Sequence, residues 1–185
     1  MLDDIVTQYI RQYPHEAAGL ALLIDQLETQ QKLNDRRNFN GHVTGSGIVL
    51  SADQTKILLI HHKGFNRWQQ PGGHWESDDE SDPLVVAERE VAEETGVRDL
   101  EYLPMDPAHP LVPVDIDTHE VPARPHKDEP DHWHHDFRYV FITTEQELTH
   151  QEAEVNAAGW FDLNAPESFI IRTVIDKLRQ LKFIK

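Results

Sequence analysis

Two apolar stripes at helical spacing open the chain. Ile5, Val6, Tyr9, Ile10 and Tyr13 form the first, interrupted by Pro14, and Leu20, Leu23, Ile24 and Leu27 form the second across residues 15–31. Together they predict a helical hairpin, too small to be stable alone and so expected to pack on the remainder of the chain. It could serve as a structural cap, a dimer contact or a cover over a site. The polar stretch NDRRNFNG (34–41) marks a boundary, giving an N-terminal helical extension over 1–40 and a main domain over 41–185. Beyond it HVTGSGIVL and KILLIHH are rich in β-branched and aliphatic residues, and the turn-like SADQT between them predicts a β-hairpin. WQQPGGHWESDDESDP reads as a loop leading into the helix PLVVAEREVAEET, with Asp82 as its N-cap, Pro83 in the first turn and Gly96 suited to a left-handed stop. Residues 104–131 hold many prolines and predict a long irregular segment over one face. HWHHDFRYVFITT then alternates as a strand and AGWFDL as a short one. PESFIIRTVIDKLRQLKF forms an amphipathic helix on Ile170, Ile171, Val174, Ile175, Leu178 and Leu181. The order αα, ββ, loop-α, β-rich, α is that of an α/β (α+β) protein.

Charge adds the chemistry. Glu90, Glu93 and Glu94 share one helix face, where like charges three and four residues apart each cost a few tenths of a kcal/mol. They also sit near the helix C-terminus, whose dipole disfavours anions. A hard divalent cation such as magnesium or manganese would remove the conflict by taking carboxylate oxygens. The alternative is a solvated acidic face. Gly72 and Gly73 in PGGH, just upstream, permit close backbone approach to a ligand. The net charge of −16, from 17 Lys and Arg against 33 Asp and Glu, disfavours nucleic-acid partners and means that an anionic substrate needs a mediating cation. With no cysteine, thiolate metal sites and cysteine nucleophiles are excluded. No apolar run approaches the roughly 18 residues of a membrane span, and neither a basic n-region nor an apolar h-region opens the chain, so the expectation is a cytoplasmic protein without membrane partners.

The loop and helix together resemble the box of the Nudix hydrolases. Gly73 opens it, and Arg89, Glu90, Val91, Glu93, Glu94, Gly96 and Val97 match its second half. The first half departs, because the interval from Gly73 to Arg89 is two residues longer than the pattern, leaving its first glutamate between Asp79 and Glu80. Gln70 also replaces an apolar residue often found before PGG. The resemblance implies a Nudix-type αβα sandwich with a mixed sheet, preceded here by the helical hairpin. It also implies hydrolysis of a diphosphate in a nucleotide-like compound with Mg²⁺ or Mn²⁺. Carried over residue by residue, Glu93 and Glu94 would ligate metal and Glu90 would ligate metal or help deprotonate water. The Gly73 carbonyl would join the ligands, and Arg89 would orient the glutamates. An isomerase of the same fold is disfavoured because its common type uses a cysteine. A noncatalytic nucleotide sensor is the alternative class, against which the intact glutamate set argues.

His132, His134 and Asp136 alternate along the predicted strand and so share a face. They could contact substrate, form a second metal site with His119 or Glu129, or simply face solvent. Side chains of one strand stand about 6–7 Å apart on a face, wider than ligands of one small ion unless the strand bends. Arg67, His74 and Lys127 are further candidate substrate contacts, and Lys63 and Arg124 are cations that could meet phosphate or be merely solvated. Trp68 and Trp75 could stack a base or pack internally. Glu152 and Glu154 lie where some Nudix enzymes supply another metal ligand or base. A homodimer through the hairpin is an open alternative.

Overall fold

In the computed structural model, which describes residues 1–76, 80–125 and 128–185, the chain opens with α1 (Leu2–Gln12), a 3₁₀ segment Pro14–Leu20 and α2 (Ala21–Glu28). Next come β1 (His42–Ser51), β2 (Lys56–His62), β3 (Arg67–Gln69), β4 (Gly72–His74) and α3 (Pro83–Thr95). The remainder comprises β5 (Glu101–Tyr102), β6 (Asp115–Val121), β7 (His132–Thr143), β8 (Val155–Asp162), a 3₁₀ segment Pro166–Ile171 and α4 (Arg172–Gln180).

β1 and β7 lie parallel and in register from His42 beside His134 to Ser51 beside Thr143, and every residue of β1 is buried. Strands covered on both faces need apolar residues at both parities, which explains the run Ile48-Val49-Leu50. Antiparallel neighbours complete a mixed sheet: β2, with β3 and β8 beyond it, and β4 pair on the β1 side, and β5 and β6 pair with β7. One face buries Val49, Phe137, Tyr139 and Phe141 against Val86, Ala87 and Val91 of α3, and the hairpin adds Ile5, Val6, Tyr9, Leu20 and Leu23 to that core. The other face packs Ile48, Leu50, Leu59 and Val140 against Val174, Ile175 and Leu178 of α4. The result is an αβα sandwich. No helix among the described residues is long and apolar enough to cross a membrane.

Three expectations need correction. The stretch over 104–131 contains β6, a seven-residue strand paired with β7 from Asp115 beside Arg138 to Val121 beside His132. Its sequence DIDTHEV carries acids and a histidine on the side that would otherwise be apolar, which hides the strand pattern. The PGG loop contains two three-residue strands, β3 and β4. The second and last helices each begin as a 3₁₀ turn rather than an α-helix, at Pro14 and Pro166.

The hairpin is tied to the sheet edge by polar contacts as well. Tyr9 Oη accepts the Ile116 N–H at 3.1 Å and a proton from Lys177 Nζ at 2.9 Å, and itself donates to Glu16. Lys177, on α4, also reaches Glu16 Oε1 at 2.7 Å. One cluster therefore joins α1, β6 and α4.

Candidate active site

The boundaries of α3 fix where its carboxylates point. Asp82 Oδ1 accepts from Leu84 N at 3.0 Å and Val85 N at 3.2 Å, capping the first turn, and Pro83 occupies a position whose N–H has no helical partner. Gly96 ends the helix at φ +78°, a conformation that costs a side-chain-bearing residue. Between these limits Glu90, Glu93 and Glu94 face the β4 loop. Glu94 is 3% exposed, and its Oε2 accepts the Gly72 N–H at 2.9 Å. Gly73 lies so close to Glu90 that a Cβ there would fall 2.3 Å from Glu90 Oε1. A side chain at this position would have to displace the Glu90 carboxylate.

Arg89 holds the arrangement together. Its Nε donates to Glu80 Oε1 at 2.7 Å and its Nη2 to the His74 carbonyl at 2.7 Å, while Nη1 lies 2.9 Å from both Glu90 Oε1 and Glu93 Oε2. Glu80 in turn accepts the Glu76 N–H at 2.6 Å. One guanidinium thus links loop, linker and helix. Of the two residues left open for the first acid of the box, Glu80 is this partner of Arg89, and Asp79 lies outside the described residues.

Burial works against ionisation at two of the glutamates. Desolvation is the largest influence on Glu90, opposed by Arg89 and reinforced by Glu93 and Glu76, and it pushes the carboxyl up to about 7. Glu94 is pushed up to about 8 by burial first, with Glu90, Glu154 and Glu93 adding repulsion against the Gly72 N–H. Carboxyls so placed are stabilised in their charged form by a divalent cation. The oxygen-only donor set, with the Gly73 backbone pressed against Glu90, fits Mg²⁺ or Mn²⁺.

Gly72, Gly73, Glu90 and Glu93 border a cleft of about 1230 Å³. Its floor is the polar half of one sheet face, built from cross-strand rows: His134 and His119, with His42 buried beside them; then Thr44, Asp136 and Asp117; then Ser46, Arg138 and Asp115. Tyr13, Glu16 and Leu20 of the hairpin and Lys177 of α4 form another wall. His132, His134 and Asp136 are 2%, 8% and 3% exposed, so the alternative of a solvent-facing strand is ruled out. Asp136 accepts from Thr44 Oγ1 at 3.1 Å, Ser46 Oγ at 2.7 Å, Gln70 Nε2 at 3.1 Å and Arg138 Nε at 3.0 Å. That carboxylate braces the floor and anchors the residue before Pro71.

The other candidates are dispersed. Arg67 lines the cleft, its guanidinium 5.1 Å from the Phe65 ring centroid. His74 also lines it, whereas Lys127 lies outside the described residues. Arg124 pairs with Glu129 Oε2 at 2.7 Å and borders the cleft. Glu154 lies close enough to Glu94 to raise its pKa and borders the cleft. Glu152 is exposed and its carbonyl accepts from Lys63 Nζ. Trp75 is 8% exposed within the core, and Trp68 meets Phe161 edge-on with centroids 4.6 Å apart. Both indoles pack internally. Sequence reasoning missed His42, Gln70 and Arg138. The polar alternation His42, Thr44, Ser46 before the apolar Ile48 and Leu50 was the signal that could have exposed the first.

The NUDIX domain family matches residues 41–179, and the chain belongs to that family. A probable DHNTP pyrophosphohydrolase from Lactococcus lactis subsp. cremoris is 29% identical over 172 residues, covering 91% of this chain and 95% of the relative. Among solved structures, a NUDIX-family hydrolase from Clostridium perfringens superposes with a TM-score of 0.56 at 22% identity, covering 76% of this chain and 97% of that one. The E. coli dihydroneopterin triphosphate pyrophosphohydrolase superposes with a TM-score of 0.51 at 17% identity, covering 73% and 92%. These likenesses place the fold.

Proposed function

We propose that this Nudix pyrophosphohydrolase cleaves a diphosphate bond in a nucleotide-like substrate with Mg²⁺ or Mn²⁺ held by Glu90, Glu93, Glu94 and the Gly73 carbonyl. The observation that carries the reading is the meeting of Glu90 and Glu94 with the Gly72–Gly73 backbone beside a large polar cleft, with Glu93 sharing Arg89 Nη1 with Glu90 and both buried carboxyls held where they resist ionisation alone. Bound Mg²⁺ or Mn²⁺ would neutralise charge on the diphosphate and on its transition state.

The chain's own residues do the rest. Glu90, pressed against Gly73 and bonded to Arg89, would either ligate the metal or receive a proton from the attacking water. Arg89 fixes that carboxylate's oxygens while bonding the loop carbonyl of His74, so helix and loop cannot drift apart. Glu154, beside Glu94, is placed to supply a further ligand or base. Arg36, Arg67 and Arg124 give an otherwise acidic protein local cations along the cleft for substrate phosphates. The hairpin of residues 1–40 supplies a wall of the substrate cleft.

The reading is tested by a panel of nucleoside triphosphates, dihydroneopterin triphosphate, ADP-ribose, dinucleoside polyphosphates and nucleotide sugars, with Mg²⁺ or Mn²⁺ and with chelator. The pterin is included because of the Lactococcus relative. Metal-dependent release of phosphate, pyrophosphate or a mononucleotide from at least one compound is expected. Tight binding without turnover across the panel would favour a sensor instead.

A further inference from the structure

We propose that His42, His74 and His134 form a second metal site, an all-imidazole centre for a transition ion of the Zn²⁺ class, separate in its ligands from the glutamate centre. A ring nitrogen from each lies within 4.8 Å of those of the other two. The three come from three strands. His42 opens β1 and is the parallel partner of His134 in β7, while His74 lies in β4, whose register with β1 places it beside Thr44. The spacing within a single strand, too wide for one ion, is therefore bypassed by cross-strand neighbours.

Hydrogen bonding shows which nitrogens are free to bind a cation. His42 Nδ1 lies 3.1 Å from the Asn38 carbonyl, an acceptor only, so in the neutral ring that nitrogen holds the proton and Nε2 presents a lone pair. His42 is 1% exposed, and this Nε2 is buried with no hydrogen-bond partner among the described residues. A buried lone pair without a donor calls for one or for a metal. In that neutral form it has no proton to donate to a phosphate oxygen. His132 repeats the pattern: Nδ1 is 2.7 Å from the Pro130 carbonyl, leaving Nε2 to accept from His134 Nε2 at 3.1 Å. Ligating imidazoles are commonly held by such outer bonds, which set tautomer and orientation.

Ring nitrogens around tetrahedral zinc stand about 3.3 Å apart, given bonds of about 2.0 Å. The widest pair here needs to close by roughly 1.5 Å, within reach of small ring rotations. Imidazoles select Zn²⁺, Ni²⁺ or Co²⁺, whereas the oxygen set on α3 suits Mg²⁺ or Mn²⁺, so the two centres sort their metals by ligand type.

The test is metal binding by the full chain stripped with chelator. Titration with Co²⁺ in the presence of excess Mg²⁺ should give an intense visible d–d band at one ion per chain. X-ray absorption of the Zn²⁺-loaded protein should show three imidazole nitrogens at about 2.0 Å. His42→Ala and His134→Ala should abolish the band or weaken binding by on the order of 100-fold, and His132→Ala by about 10- to 100-fold. Glu93→Gln should leave it intact, which separates this proposal from the glutamate centre. Absence of stoichiometric uptake, an oxygen-rich zinc shell, or loss of the band in Glu93→Gln but not in the histidine variants would overturn it. The absorption experiment uses the unaltered chain, so it decides the question even where a histidine variant fails to fold.

Discussion

Replacing Glu94 by glutamine tests whether the fold holds a carboxyl against its own ionisation. The side chain is 3% exposed and its pKa is pushed up to about 8 by burial and by neighbouring carboxylates. In an unfolded chain it titrates near 4.3. Because the folded value is the higher, the metal-free folded chain binds more protons between these limits. Its stability is therefore fully present below about pH 4 and falls as pH rises, levelling off above the folded value. At about 1.4 kcal/mol per pH unit of that window, the loss reaches roughly 4–5 kcal/mol by pH 7 to 8. Glutamine keeps an oxygen for the Gly72 N–H and cannot ionise. In chelator at pH 8 the variant should be the more stable by up to that amount, or roughly 8–20 °C in Tm for a chain of this size. At pH 4 the two should coincide. Urea titrations followed by circular dichroism at pH 4, 6 and 8, with unchanged m-value, provide the measurement. Addition of Mg²⁺ at pH 8 should then raise the midpoint of the parent chain and not that of the variant. Midpoints that run parallel across pH, or a variant less stable at pH 8, would refute the reasoning.

Three further substitutions probe the same geometry. Tyr9→Phe removes the acceptor of the Ile116 N–H and of Lys177 in the cluster joining hairpin to sheet edge, and should cost about 1–3 kcal/mol by chemical unfolding. Arg138→Leu removes the guanidinium that neutralises Asp115 and Asp136, and should lower stability by about 3–5 kcal/mol at neutral pH and by less in acid, where Asp115, already pushed up by burial, protonates. Gly73→Ala drives a methyl group into Glu90, and should reduce kcat/KM by at least about tenfold, equivalent to about 1.4 kcal/mol, while circular dichroism stays unchanged.

Local signals made α3 and its glutamate face legible. Asp82, Pro83 and Gly96 each occupy the capping position that their chemistry implies, because caps depend only on neighbours in sequence. The glutamate face was legible for the same reason, through the fixed spacing of a helix. What stayed hidden depends on long-range pairing. β6 carries its acids on the cleft floor, so Asp115 and Asp117 broke the apolar alternation that announces a strand, and their partners Arg138, Lys177 and His119 explain them. His42 and His134 stand side by side although 92 positions separate them, since parallel register leaves no trace in either segment alone. The acidic linker kept part of the answer as well: Glu80 became identifiable as the Arg89 partner once the guanidinium's direction was known.

The central claim is that Glu90, Glu93 and Glu94 form a metal centre for diphosphate hydrolysis, and Glu93→Gln probes it with the least disturbance because that side chain is 46% exposed. With the best substrate of the panel and saturating Mg²⁺, the initial rate of phosphate or pyrophosphate release should fall by at least about 100-fold, equivalent to about 2.7 kcal/mol of transition-state stabilisation. The circular dichroism spectrum should match that of the parent chain. Full activity in the folded variant would contradict the account.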